Sequence, residues 1–255
     1  RVSRGLGDVY KRQLLELAKK LCRIAAEECG ENGFKGIRIS TRPDAVDGEI
    51  CDILEKYHVT AVELGAQSTN DKVLAMNRRG HTREDIFRSA RLLKERGFEL
   101  GLQMMTGLYG SNDEDSIGTA RDIISLSPDT ARIYPTVVIE NTELAELYRS
   151  GEYRPQTPEE AALLCAKILP MFERAGIKVI RLGLHSGGDV EGSFVAGAYH
   201  PALREMCEGH IYFDIINKAL SGKEKGKYII YVAPREISKA SGQRRCNIEK
   251  LRELG

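Results

Sequence analysis

The sequence predicts an α/β protein: a truncated, partial parallel barrel followed by a small basic α+β appendage. Three observations carry this expectation. Short apolar strands alternate with amphipathic helices from about residue 14, at spacings of roughly 25 to 45 residues, as βαβ units require. No G-x-G-x-x-G opens a first turn, which weakens a doubly wound dinucleotide fold. The alternation also starts on a helix and not on a strand, which points to missing first units.

Taken in order, residues 14–28 read as an amphipathic helix with Leu15, Ala18, Leu21, Cys22 and Ala25 on one stripe. Residues 36–42 form a strand halted by Pro43, and Asp44 is the expected N-cap of a helix to about Tyr57. A strand over 60–64, helices over 71–76 and 83–96, and a strand over 99–105 after the Gly97 stop signal come next. Asn112 or Asp113 caps a helix to about Leu126, followed by a strand over 130–134 and a short helix over 142–150. A helix over 158–175, a strand over 177–184, and a helix with a strand edge over 201–220 complete the core.

Composition is that of a globular chain, with 42% hydrophobic and 29% charged residues and a net charge of +1. The charge is segregated: residues 1–13 carry +3, residues 222–255 carry +5, and the intervening body carries −7. A basic tail on an acidic body places any polyanion contact on the tail. No apolar run approaches the roughly 18 residues needed to cross a bilayer, and nothing resembles a secretory signal. A cytoplasmic location without membrane contact is therefore expected, and the sequence leaves the oligomeric state open.

Residues 1–13 do not begin with Met, show no period and resemble translated adapter sequence, so they are expected to be a non-native leader. The far end stops within what reads as a small motif. The expected organisation is a leader over 1–13, a core over 14–221 that lacks its first units, and a basic subdomain over 222–255, the chain being a fragment. In the tail, residues 228–251 read as strand, helix, glycine turn and helix. Arg244 and Arg245 beside Gly242 are candidate contacts to a nucleic-acid backbone, loosely like a KH-type loop, or else solvated charges on a capping subdomain.

Polar residues that end parallel strands gather at one edge of the sheet, where ligands bind. Here they are Ser40, Thr41 and Arg42; Gln67 and Ser68; Gln103; Tyr134; and His185 and Ser186. No paired acids, nucleophile elbow or H-x-x-x-H spacing accompanies them. The six cysteines show no C-x-x-C pair or zinc spacing. The chemistry is therefore expected to come from a cofactor or from a segment outside this chain.

Several motifs carry a resemblance: Ile39-Ser-Thr-Arg-Pro-Asp44; Gly65-Ala-Gln-Ser-Thr-Asn70 leading to Asn77-Arg-Arg-Gly-His-Thr82; and Arg132-Ile-Tyr-Pro-Thr-Val-Val-Ile139 with Gly151-Glu-Tyr153. In this order they resemble the radical SAM domain of the Elongator catalytic-subunit family, and more loosely the oxygen-independent coproporphyrinogen III oxidases. Val195-Ala-Gly-Ala-Tyr-His-Pro-Ala202 is similar to a segment of bacterial relatives. The resemblance implies a partial (β/α)6 barrel that binds S-adenosylmethionine and a [4Fe–4S] cluster and draws on a reducing electron donor. The deoxyadenosyl radical formed abstracts hydrogen from the substrate, a tRNA wobble uridine in the Elongator case.

By the same resemblance Gln67 and Arg78 contact S-adenosylmethionine, Arg78 at its carboxylate, while Gln103 and Met105 line the nucleoside pocket. Ser40 stands where relatives often carry Glu. The cluster thiolates are expected upstream of this fragment, which makes it inactive alone. A coproporphyrinogen-oxidase-like enzyme, a non-catalytic RNA-binding barrel and a phosphate-binding barrel stay open as alternatives.

Overall fold

The computed structural model describes residues 16, 20, 36–184 and 192–255. Residues 16 and 20 are helical; the rest of the helix expected over 14–28, and the strand ends His185 and Ser186, lie outside the described residues. Five strands form a sheet in the order β1-β2-β3-β4-β6: β1 Ile37–Thr41, β2 Val59–Gln67, β3 Glu99–Thr106, β4 Thr130–Pro135 and β6 Lys178–Leu182. The pairs β1–β2 and β2–β3 are parallel. Between the strands run α1 Gly48–Lys56, α2 Asp71–Met76, α3 Arg83–Glu95, α4 Asp113–Ser125, α5 Glu143–Arg149 and α6 Pro158–Arg174. The sequential strand order follows from helical crossovers that return each strand beside its predecessor.

The described residues form two compact units. One holds those up to Met105 together with Tyr109–Arg132 and Phe172–Arg181; the other holds Thr106–Leu108, Ile133–Met171 and Leu182–Gly255. The core of the first is the apolar side of the strands, with Leu64, Leu100, Leu102 and Met104 fully buried. Helix residues Leu54, Leu74, Ile86 and Leu93 are fully buried as well. Alternate strand residues point the other way and are polar or small: Arg38, Ser40 and Arg42; Glu63, Gly65 and Gln67; Glu99, Gly101 and Gln103. Register places Ser40 opposite Glu63 and Glu63 opposite Gly101. A sheet with this alternation has one apolar face for helices and one polar face for a ligand.

Helix starts follow their caps. Asn70 Oδ1 accepts from Lys72 N at 3.0 Å and from Val73 N at 3.4 Å, and its amide donates to Asp115 Oδ1 at 2.7 Å. Thr82 with Asp85 and Asn112 with Asp115 form capping boxes on α3 and α4. The cap expected at Asp44 forms instead at Asp47, which accepts from Ile50 N at 3.0 Å. Pro43 starts a short 3-10 turn over Pro43–Ala45, and Asp44 is held by a two-point pair with Arg42 at 2.9 Å.

In the second unit β5 Val137–Ile139 pairs antiparallel with β7 Phe194–Gly197, a ladder that the sequence pattern did not reveal. The span over 201–220 carries α7 Leu203–Leu220 and no strand edge. Beyond it lie α8 Ile237–Ser241 and α9 Cys246–Leu254. The strand expected from Tyr228 forms no ladder among the described residues. No helix among them is long and apolar enough to cross a membrane.

Asn70→Ala removes the α2 cap and the tie to Asp115 together. It is expected to lower stability by about 1–2 kcal/mol, read as a shifted denaturation midpoint with an unchanged slope.

Candidate functional site

At the carboxyl edge of β2 the backbone makes a tight reversal. Gln67 has φ +64°, and Ser68 N donates back to Ala66 O at 2.8 Å. The β2–β3 register slips here, with Gly65 opposite Gln103 but Gln67 opposite Met104. A bulge of this kind re-aims a side chain next to a site. Gln67 is buried, and its Oε1 accepts from Gln103 Nε2 at 3.2 Å. A Cβ on Gly65 would lie 2.8 Å from Gln67 Nε2, so glycine gives the amide its place. The structure thus joins two of the expected residues. Met105 lies two residues beyond Gln103 on the same side of β3 and is half-buried like it.

Ser40 sits on the same polar face, its Oγ 3.5 Å from Glu63 Oε1. Glu63 is 2% exposed, and its Oε2 lies 2.9 Å from Arg132 Nε. The two atoms are in ion-pair contact without hydrogen-bond alignment. Gly101 leaves the room, because a Cβ there would come within 3.2 Å of Glu63 Cγ.

Other strand-end residues have structural work. Ser68 Oγ accepts from Asn70 N at 3.1 Å and lies 3.4 Å from Thr119 Oγ1, which also accepts from Thr69 N at 3.0 Å. Thr41 faces away from the polar side, and Tyr134 belongs to the second unit.

The turn after α2 carries the expected Arg78 and brings in Arg79 and His81, to which sequence reasoning gave no role. Asn77 Nδ2 donates to Val73 O and Tyr109 O, both at 2.8 Å, which fixes the helix end. Arg78 follows with φ +50° and is exposed. Arg79 is half-buried, its Nε is buried without an acceptor, and no carboxylate among the described residues pairs with it. Burial lowers its pKa from the ordinary value, and the charge of nearby Arg42 lowers it further. Gly80, at φ +73°, lets Arg42 approach, since an added Cβ would lie 2.7 Å from Arg42 Nη2. An unpaired, partly desolvated guanidinium beside a second one is an anion-binding arrangement.

His81 is 4% exposed and its Nε2 lies 3.1 Å from Ala66 O. A carbonyl only accepts, so Nε2 carries the proton and the buried Nδ1 is bare. Burial pushes the His81 pKa down. The signal available in the sequence was Asn-Arg-Arg-Gly-His-Thr, a polar run interrupted by one glycine. Its charge suggests solvent, and only the fold shows that half of it is inside.

In the tail Arg244 and Arg245 are exposed and occupy consecutive left-handed conformations, φ +53° and +65°, just before α9. Asn247 holds this turn by donating to Gly209 O at 2.8 Å and Ala240 O at 3.2 Å. Of the described cysteines, Cys51, Cys165 and Cys207 are buried and Cys246 is half-buried. Among the described residues no group of His, Cys, Asp and Glu is placed to hold a metal ion.

Residues 7–123 match the Radical SAM superfamily, and residues 128–212 match the Radical SAM C-terminal domain. The chain is 36% identical over 166 residues to the tRNA uridine(34) acetyltransferase of Methanocaldococcus jannaschii, covering 63% of this chain and 30% of that protein. It is 35% identical over 146 residues to human Elongator complex protein 3, covering 53% and 25%. The chain therefore spans less than a third of these relatives. Among solved structures it resembles the Methanocaldococcus infernus Elp3 lacking residues 1–46, with a TM-score of 0.61 and 29% identity, over 72% of this chain and 42% of that one.

Because His81 is held neutral below its ordinary pKa of 6.5, the unfolded chain binds the extra proton first as pH falls. Stability is therefore fully present above about pH 6.5 and declines below it. His81→Gln, which keeps a donor for Ala66 O, is expected to flatten this decline in denaturation midpoints measured between about pH 7.5 and about pH 5.5.

Proposed function

Because this chain belongs to the radical SAM superfamily, we propose that it is part of an Elongator-like enzyme that modifies a uridine of tRNA and holds S-adenosylmethionine at the β2–β3 edge. The order of its motifs along both matched domains, together with relatives that act on tRNA uridine, supports this reading. Arg79, whose buried Nε has no acceptor and which lies near Arg42 and His81, is the observation that carries the cofactor assignment.

The fit to S-adenosylmethionine is chemical. Its aminoacyl carboxylate suits a guanidinium that no carboxylate of the described residues neutralises, and Arg79 joins Arg78 as a candidate for that contact. Gln67 and Gln103 offer amide donors and acceptors, Ser40 a hydroxyl, and the half-buried Met105 an apolar wall for the nucleoside. S-adenosylmethionine bound there supplies the radical chemistry of the superfamily; the residues of this chain bind and orient it. A [4Fe–4S] cluster needs several thiolates together, and the described cysteines do not provide them. No step through such a cluster is assigned to these residues.

The tail supplies the complementary half of the reading, with Arg244 and Arg245 as exposed cations for a tRNA backbone. Backbone contacts of this kind add affinity and salt dependence without reading sequence.

Two measurements test these assignments. By calorimetry, Arg79→Ala is expected to weaken S-adenosylmethionine binding by about tenfold or more, the scale of a lost charge-assisted contact. Arg78→Ala reports separately on its neighbour, and unchanged binding in both variants rejects the carboxylate assignment. In filter binding with unmodified tRNA, Arg244→Ala and Arg245→Ala are each expected to reduce the log–log salt slope by about 1. An unaltered slope removes the tail from the tRNA contact.

A further inference from the structure

The helices α8 and α9 keep their place on α7 with little apolar burial. Of the side chains in residues 222–255 only Asn247 is buried. The apolar ones in α8 and α9 are at most half-buried, as at Ala240, Cys246, Ile248 and Leu251. A helix docked by packing covers an apolar stripe. This pair is docked by polar groups.

On α7, Arg204, Glu208 and Tyr212 follow one another at steps of four residues and so share a face. Lys239 Nζ lies 3.1 Å from Glu208 Oε2 on that face and 2.9 Å from Glu236 Oε2, in the 3-10 turn Pro234–Glu236 that precedes α8. Arg204 Nε donates to Glu208 Oε1 at 3.0 Å, and Tyr212 Oη donates to Glu236 Oε2 at 3.2 Å. Beside this chain of groups Gly209 leaves room for close approach, since an added Cβ would lie 3.7 Å from Gly242 Cα. Asn247 Nδ2 donates to the Gly209 carbonyl at 2.8 Å. On α9, Lys250 Nζ stands 5.7 Å from the centre of the Phe213 ring, and the last residue accepts from Gly226 N at 3.2 Å.

We propose that α8 and α9 form a releasable arm, clipped to α7 through Lys239 and Asn247 and carried on residues 221–233 as a tether. Ion pairs near a surface each contribute little and are screened by salt. Release returns Lys239, Glu236, Glu208 and Asn247 to water, so it strands no polar group, and it exposes little apolar area. Opening of the arm is therefore a local event, far less costly than unfolding the unit that carries it. The tether contains no helix or strand. A flexible chain of its length has a root-mean-square span of roughly 20 Å.

A permanent capping subdomain is the competing reading. Such a cap would bury an apolar stripe of α8 or α9, and neither helix buries one. Arg244 and Arg245 travel with the arm, so release widens the volume in which they meet an anion. That this anion is tRNA rests on the function proposed above; the arm itself does not.

Hydrogen–deuterium exchange on the intact chain, compared between α9 and α7, tests the arm without any ligand. In the wild-type chain α9 is expected to exchange faster than α7. Raising salt from about 0.05 M to about 1 M should lower the protection of α9 severalfold, because screening then acts within the length of the clip. Lys239→Gln leaves Glu208 and Glu236 facing each other across the contact. It should lower the protection of α9 by about tenfold at low salt and make it much less sensitive to added salt. Lys239→Arg should keep the wild-type behaviour. Gly209→Met removes no charge but drives a side chain against Gly242, and should open α9 at every salt concentration. The protection of α7, unchanged in all three variants, reports that the fold is kept. The proposal is overturned by an α9 as protected as α7, by protection that neither salt nor Lys239→Gln moves, or by an α9 that stays closed in Gly209→Met. An unaltered tRNA salt slope in Arg244→Ala and Arg245→Ala removes tRNA as the anion and leaves the arm standing.

Discussion

The reversal at Gln67 is the constraint on which the site depends. A non-glycine residue in the left-handed region costs about 1–2 kcal/mol and persists only where its surroundings over-determine it. Here four contacts do so. His81 Nε2 holds the Ala66 carbonyl, Gln103 holds the Gln67 amide oxygen, Gly65 clears the space above the sheet, and Thr119 with Ser68 anchors the chain on leaving the turn. If the strand simply continued, Gln67 would take its turn in the ordinary alternation and Asn70 would not reach the start of α2. One bent residue therefore sets both the aim of an amide and the position of the next helix.

The polar face below the edge has a different energetic character. Glu63 is taken out of water while its partner Arg132 stays partly exposed, and the attraction between them offsets the desolvation cost of the buried carboxylate. Apolar residues of similar volume would hold β2 and β4 at least as well. Retaining charge there keeps that face of the sheet polar, so that it presents donors and acceptors and not a sealed core. Gly101 between the two strands serves the same end, because any side chain there would press on Glu63.

How much of this was legible in the sequence depended on whether the cause was local. Strand and helix order, the cap at Asn112, and the strand-end amides Gln67 and Gln103 follow from period, turn chemistry and the parallel-sheet rule, whereas the caps at Asn70 and Thr82 emerge only from the structure. Asp44 was misread as a cap because it fits the position, but Arg42 two residues earlier takes its carboxylate and Asp47 takes its place. The β5–β7 ladder joins residues more than fifty positions apart, a separation at which no window of sequence carries a signal. The segment after Tyr228 has the composition of a strand, yet composition does not supply a neighbour to pair with.

Arg79 and His81 show the same limit from the inside. In the run Asn-Arg-Arg-Gly-His-Thr each residue does a separate mechanical task that only the turn assigns. Asn77 ties the end of α2 to Tyr109, Arg78 and Gly80 take the left-handed conformations, and Thr82 caps α3. What remains between them is Arg79 and His81, carried inward by the reversals on either side. A single conformational change at Gly80 would move Arg42, Arg79 and His81 together, since its missing side chain is what Arg42 packs against and its φ of +73° is closed to most residues. The unneutralised charge at this edge is therefore a property of the turn's geometry, and Arg79 keeps it because the backbone holds the side chain where no described acid pairs with it.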